Sequence, residues 1–305
     1  MTRAERASVA DAGEVAAFVA RLNSIPEHRI GYFGDTPEEI ANELISWGTI
    51  ERALVARDRG GDIVAFMGIE VDDVMGRSYL NGPLAESSRW PDLPLRLVAE
   101  CLALVPEAAA RLLELFFDVE NTNLAGLGRS LGFESYKDVR LMRFDRSQLA
   151  SLAPGTASKL DPEHHEQLAV LHDRLFPNTH LPGARMVAGL GAHKACFVKI
   201  SGGEVEGYVY LEVQEETGAA GVEYLGTAEG ARRRGVGEDL VRAGTHWMLS
   251  FDNVSQAWLT VDEDNAVAQR LYHRLGWSFV RRLTSMRRRG KPTPLVGGPA
   301  EPTPL

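Results

Sequence analysis

Val222-Glu223-Tyr224-Leu225-Gly226-Thr227 followed by Arg232-Arg233-Arg234-Gly235-Val236-Gly237 is the stretch on which the reading of this chain turns. The first six residues have the composition of a strand, and a helix is expected to start near Glu238. Between them, Gly235 and Gly237 leave the backbone bare, so that several N–H groups can converge on an anion at a helix N-terminus. Arg232, Arg233 and Arg234 add positive charge that can reach phosphate oxygens. Two other phosphate loops are excluded. A P-loop needs Lys-Ser/Thr after its last glycine, where Glu238-Asp239 stands, and the dinucleotide fingerprint needs a third glycine where Leu240 stands.

What remains is Arg/Gln-x-x-Gly-x-Gly/Ala, filled by Arg232, Gly235 and Gly237. This pattern resembles the pyrophosphate signature of the GNAT acetyltransferases. Downstream, Asn265-x-x-Ala268-x-x-Leu271-Tyr272-x-x-Leu275-Gly276-Trp277 is similar to the second motif of that family, and the likeness runs from about Val205 to Met286. The resemblance implies an α/β fold (α+β, with a mixed sheet) and acetyl-CoA as cosubstrate.

Composition sets the outer limits. The 305 residues suffice for two domains; 44% are hydrophobic and 25% charged, as in an ordinary soluble protein. No apolar run approaches a membrane span, and the first residues lack a signal-peptide core, so neither a membrane partner nor export is expected. Cys101 and Cys196 both sit in apolar surroundings and read as buried free thiols, in keeping with a reducing cytoplasm. A net charge of −9 argues against nucleic acid as a partner, despite Arg281-Arg282 and Arg287-Arg288-Arg289. No His, Cys or carboxylate spacing resembles a metal site.

In chain order, the spacing of apolar residues predicts helices over 12–22, from Thr36, over 95–104 and over 124–131. Strands are expected over 53–57, 63–71, around 78–80, over 113–119 and over 139–144. Ala153-Pro154-Gly155 breaks the pattern, which places a domain boundary within 147–156. Residues 1–150 then form one domain and 155–290 another, while the proline-rich 291–305 is expected to be a disordered tail. In the second half, helices are read from Asp161, over 183–190, to about Met248 and over 265–274. Its strands are 196–200, 207–213, 222–227, 257–261 and 278–286.

The halves are related by an offset of 144 residues, which carries Leu131-Gly132-Phe133 onto Leu275-Gly276-Trp277, Asn121 onto Asn265 and Asn81-Gly82 onto Leu225-Gly226. Arg232 to Gly237 falls instead on Ser88-Arg89-Trp90-Pro91-Asp92-Leu93, which has no glycine and has a proline without an N–H. Two tandem GNAT-like acyl-CoA N-acyltransferase domains follow, the first degenerate.

By resemblance, the backbone of Leu225, Gly226 and Thr227 holds the pantetheine arm, and Arg232, Arg233, Arg234, Gly235, Val236 and Gly237 hold the pyrophosphate. Tyr272 is the expected acid for the departing thiolate; a packed core tyrosine is the other reading of that residue. Asn265 is either a pantetheine contact or a helix N-cap. Glu223, taken to alternate onto the face of Leu225 and Thr227, is either the base for the amine or a structural strand acid. His172, His180 and His193 are scattered through the segment expected to cover the acceptor side.

The expected activity is acetyl transfer to a primary amine, on a small molecule or a peptide, by a monomer or homodimer. A non-catalytic acyl-CoA-binding module is the alternative from another class. Among enzymes, the tandem layout is similar to mycothiol synthase, and protein N-acetylation is also open.

Overall fold

A computed structural model describes residues 4–73, 75–177 and 179–290; the expected tail lies outside them. The chain separates into two compact units: residues 1–137 with 284–305, and residues 138–283. Elements of the first repeat, in order, are β1 (Ala4–Arg6), α1 (Ala12–Asn23), α2 (Pro37–Ser46), β2 (Leu54–Arg57), β3 (Ile63–Asp72), β4 (Arg77–Ala85), α3 (Asp92–Leu102), β5 (Leu112–Asp118), α4 (Thr122–Ser130) and β6 (Glu134–Asp145). The second repeat supplies β7 (Ser158–Lys159), α5 (His165–Leu175), α6 (Gly183–Ala188), β8 (Lys194–Ser201), β9 (Glu204–Val213), β10 (Ala220–Thr227), α7 (Val236–Met248), β11 (Gln256–Asp262), α8 (Ala266–Arg274) and β12 (Ser278–Arg289). This is a mixed α/β fold, as the sequence implied, and no helix among the described residues is long and apolar enough to cross a membrane.

The offset of 144 seen in the sequence holds in space. It carries β5 onto β11, α4 onto α8 and β6 onto β12 residue for residue. The cause is local chemistry repeated. Asn121 and Asn265 cap their helices by accepting N–H bonds from Leu124 at 3.0 Å and Ala268 at 3.1 Å. Gly132 and Gly276 end those helices at φ 79° and 91°, a left-handed turn that a Cβ would disfavour.

Each unit splits its sheet at the same point. In the first, β4 pairs in parallel with β5 only from Arg77 to Leu80, and residues 81–85 run on with β3 alone. In the second, β10 pairs with β11 only from Ala220 to Val222, while its pairing with β9 continues to Thr227. A wedge opens where the ladder ends.

The boundaries of the compact units do not follow those of the repeats. β6 belongs to the first repeat, yet its residues 139–145 pair antiparallel with all of β11. Arg140 grips Glu263 through two bonds of 2.8 and 2.9 Å, and Phe144 packs on Trp277 with ring centroids 5.7 Å apart. Reciprocally, the end of β12 lies in the first unit, where Arg287 bonds Glu114 at 2.6 Å and Met286 joins the apolar core. A chain cut at 147–156 therefore severs β6 from the unit it completes.

Candidate active site

Helix α7 starts without a cap. Its N-cap is Gly235, which has no side chain to offer, and the first intrahelical bond runs from Asp239 N to Gly235 O. The N–H groups ahead of it are those that every helix leaves unspent at its start. Arg233 at φ 62° and Gly235 at φ 81° place left-handed residues on either side of Arg234. The acids of the first turn are held elsewhere. Glu238 pairs with Arg242 at 2.8 Å and Arg274 at 3.3 Å, and Asp239 with Lys199 at 2.9 Å. Those partners hold both carboxyls below their usual range. Arg232 and Arg233 are exposed and form no ion pair among the described residues. Arg234 is committed to Glu206 at 2.8 Å.

Three elements meet at this helix start. A Cβ built on Gly237 would stand 3.6 Å from Leu271 of α8 and 3.8 Å from the Thr227 hydroxyl at the end of β10. The loop, the end of β10 that has left β11 and helix α8 thus meet at one corner. A concavity of about 340 Å³ opens on the flank of α7 beside β8 and β9, lined in part by Arg234, Gly235 and Val236 of the glycine loop. Its charges are paired, Arg234 with Glu206 and Lys199 with Asp239, and it includes no residue of the wedge.

Tyr272 packs its ring into the core, 6.2 Å from that of Trp277, and is 5% exposed. Burial raises its pKa well above that of a free phenol, away from the thiol range rather than toward it. The hydroxyl is not among the sealed, unpartnered polar atoms, and it makes no hydrogen bond among the described residues. It remains protonated and has its O–H free to donate. Asn265 is exposed, and its Oδ1 caps α8.

One expectation fails at Glu223. A bulge between Val222 and Tyr224 inserts an extra residue opposite Leu211 and Tyr210 of β9. The period of two breaks there. Val222 and Leu225 pack with α7, whereas Tyr224 packs with the apolar cluster of α5 and α6. Glu223 is thrown onto the Tyr224 side, away from Leu225 and Thr227, with its carboxylate over Gly221. Its neighbours there are Glu212, which accepts from Tyr210 at 2.7 Å and pairs with Lys194 at 2.9 Å. Glu223 is exposed along one side, while protein atoms crowd its carboxyl. That crowding, reinforced by Glu212 and opposed by Lys194, raises its pKa to about 7.

The same face gathers groups that the sequence left scattered. His172 holds its Nε2 2.8 Å from the Leu181 carbonyl, so the proton sits on Nε2 and Nδ1 accepts from the Tyr208 hydroxyl at 2.6 Å. Burial lowers the pKa of His172, and the ring stays neutral. The Tyr224 hydroxyl bonds Thr179 and lies 3.2 Å from His180 Nδ1. Tyr224 also stands edge-on to His172, 4.7 Å between centroids. Tyr224 was missed because a bulge has no residue signature. In the first unit the equivalent loop offers Pro91 as N-cap of α3 and Pro83 at the position of Thr227, so the N–H is missing at both places.

Comparison with known proteins agrees with this geometry. Residues 161–277 match the acetyltransferase (GNAT) family. No curated protein sequence matches the chain. Among solved structures, a GCN5-related N-acetyltransferase from Sphaerobacter thermophilus superposes with a TM-score of 0.72 at 18% identity, over 94% of this chain and 95% of that one. A tandem GNAT protein from the clavulanic acid biosynthesis pathway gives 0.66 at 13% identity, over 96% and 100%. A putative acetyltransferase from Pyrococcus horikoshii gives 0.60 at 12% identity, over 95% and 90%. At these identities the likeness is one of fold.

Proposed function

We propose that the second unit transfers an acetyl group from acetyl-CoA to a primary amine by direct attack in a ternary complex, a reading supported by the match of residues 161–277 to the acetyltransferase (GNAT) family and by the likeness of the fold to a tandem GNAT protein. The observation that carries this reading is the meeting of Thr227, Leu271 and the uncapped helix start at Gly237. An uncapped helix start beside an open strand edge suits a diphosphate joined to an extended arm. Arg232, Arg233, Gly235, Val236 and Gly237 would hold the diphosphate. The backbone of Leu225, Gly226 and Thr227, with the Asn265 amide, would hold the arm. Acetyl-CoA supplies the activated acyl carbon.

The residues of the chain then manage protons and position. Glu223, on the face lined by Tyr224, His172 and His180, takes the proton that the amine sheds as its nitrogen bonds the acyl carbon, directly or through a water. Tyr272 donates to the sulfur as the carbon–sulfur bond breaks. With its raised pKa, Tyr272 acts chiefly as a hydrogen-bond donor that stabilises the leaving thiolate until a proton is delivered. The acceptor is a small-molecule or peptide amine. The two buried free thiols, Cys101 and Cys196, suit a reducing cytoplasm.

Thiol release from acetyl-CoA, measured with a panel of primary amines alongside calorimetry of coenzyme A binding, tests the proposal. Amine-dependent release is expected. Binding without turnover on any amine would replace the transferase with an acyl-CoA-binding module, and absence of binding would overturn both.

A further inference from the structure

The first unit lacks the glycine helix start but has a different constellation on one face of its sheet. Strand pairing sets Glu70 of β3 opposite Tyr79 of β4, and Tyr79 beside Glu114 of β5. Residues paired laterally project to the same face, so the three side chains form a row. Tyr32, in the loop between α1 and α2, leans over that row. Its ring lies 5.8 Å from Tyr79 at 70° and 5.5 Å from Phe116 at 56°. All five side chains are half-buried.

Two facts set this row apart from an ordinary polar surface. The Tyr32 hydroxyl is sealed from water and has no hydrogen-bond partner, an unfavourable state for a buried polar group. The charges are also unevenly matched. Arg77 stands opposite Asp72 in the next row and Arg287 bonds Glu114 at 2.6 Å, stacked 3.4 Å over the Tyr136 ring. Glu70 has no cation partner among the described residues. Burial and the neighbouring Asp72 raise its pKa to about 7, a penalty that a bound cation would relieve.

We propose that this face of the first unit binds a small primary ammonium ion, held by Glu70 and the Tyr32 hydroxyl against the rings of Tyr79 and Phe116. An ammonium group brings three N–H donors and one charge. A carboxylate and a phenol oxygen accept the donors, and aromatic faces stabilise the charge. An anion would meet Glu70 and Glu114. A divalent metal needs several oxygens at about 2.3 Å, and Glu114 is already spent on Arg287. The proposal is independent of the transfer reaction in the second unit.

Full-length protein is titrated with n-butylammonium chloride and followed by saturation-transfer NMR. Saturable binding is expected, weakened about 10-fold or more by Glu70→Gln and about threefold by Tyr32→Phe. Tyr32→Phe removes the orphaned hydroxyl, so its melting temperature should equal or exceed that of the parent. Tetramethylammonium, which lacks N–H donors, should bind at least about fivefold more weakly. No saturable binding, binding indifferent to both Glu70→Gln and Tyr32→Phe, or binding abolished by Glu223→Gln but retained in Glu70→Gln would each overturn the assignment. The last result would move the amine to the second unit. Coenzyme A calorimetry on the same samples reads the second unit separately.

Discussion

Glu223 folds its carboxylate back over Gly221, with Oε1 3.0 Å from the point where a Cβ on that glycine would stand. The bulge after Val222 puts it there, and crowding raises its pKa to about 7. A base must be ionised to act, so kcat/KM for amine acetylation should rise with pH through about 7 and level above it. Glu223→Gln should lower kcat/KM by about 10²–10⁴ and remove that rising limb. The raised pKa also means that the folded state holds a proton which the unfolded chain has released. The stability contribution of this group therefore declines as pH climbs from its unfolded value toward 7, and Glu223→Gln should gain in melting temperature relative to the parent over that interval. A pH–rate profile that keeps its limb in Glu223→Gln would remove this residue from the base role.

Tyr272 tests the other proton. Its ring fills the core, whereas its hydroxyl makes no hydrogen bond among the described residues. Tyr272→Phe should therefore change the midpoint of urea unfolding little, within about 0.5 kcal/mol. It should lower kcat by about 10²-fold and leave coenzyme A binding near its parent value. A packed core tyrosine with no role in transfer would give full activity.

At Gly237 the backbone is an ordinary helix start, and an added methyl would meet only Leu271 at 3.6 Å and the Thr227 hydroxyl at 3.8 Å. Both are normal van der Waals distances, and alanine favours a helix by about 1 kcal/mol over glycine. Gly237→Ala should thus hold or raise stability. The same methyl projects toward the end of β10 and α8, where the arm of acetyl-CoA is proposed to pass. Coenzyme A affinity, read by calorimetry, should fall about 10-fold or more. Unchanged affinity would take the proposed binding path away from this corner.

The sequence made the repeated parts legible because short-range chemistry specifies them. Asn at the N-cap, Leu-Gly after the helix and a bulky aromatic beyond it produce the same turn at 121–133 and 265–277 without help from distant contacts. The helix start at the glycine loop was legible for a similar reason, since a turn of this hand favours glycine. Two features were not. The bulge that turns Glu223 over depends on how β10 registers against β9, and nothing in the residue types at 222–224 announces it. The other is the placing of β6 and β12. Nothing in the composition of the two strands names the neighbour, which the pairing of 139–145 with β11 shows.

That pairing fixes what a folded piece of this protein must contain. Residues 138–283 keep β6 against β11, the Arg140–Glu263 pair and the packing of Phe144 on Trp277. Residues 155–283 begin after β6 and leave β11 with one side unpaired, an exposed edge next to a core that has lost Met142, Phe144 and Leu152. Losing three large buried side chains removes about 7–15 kcal/mol, comparable with the whole stability of a domain. The longer fragment is expected to unfold cooperatively by circular dichroism and to bind coenzyme A. The shorter one is expected to aggregate or to lack a cooperative transition, and adding a synthetic peptide of residues 136–147 should restore one. A shorter fragment that melts like the longer one without the peptide would mean that β6 is dispensable to the second unit.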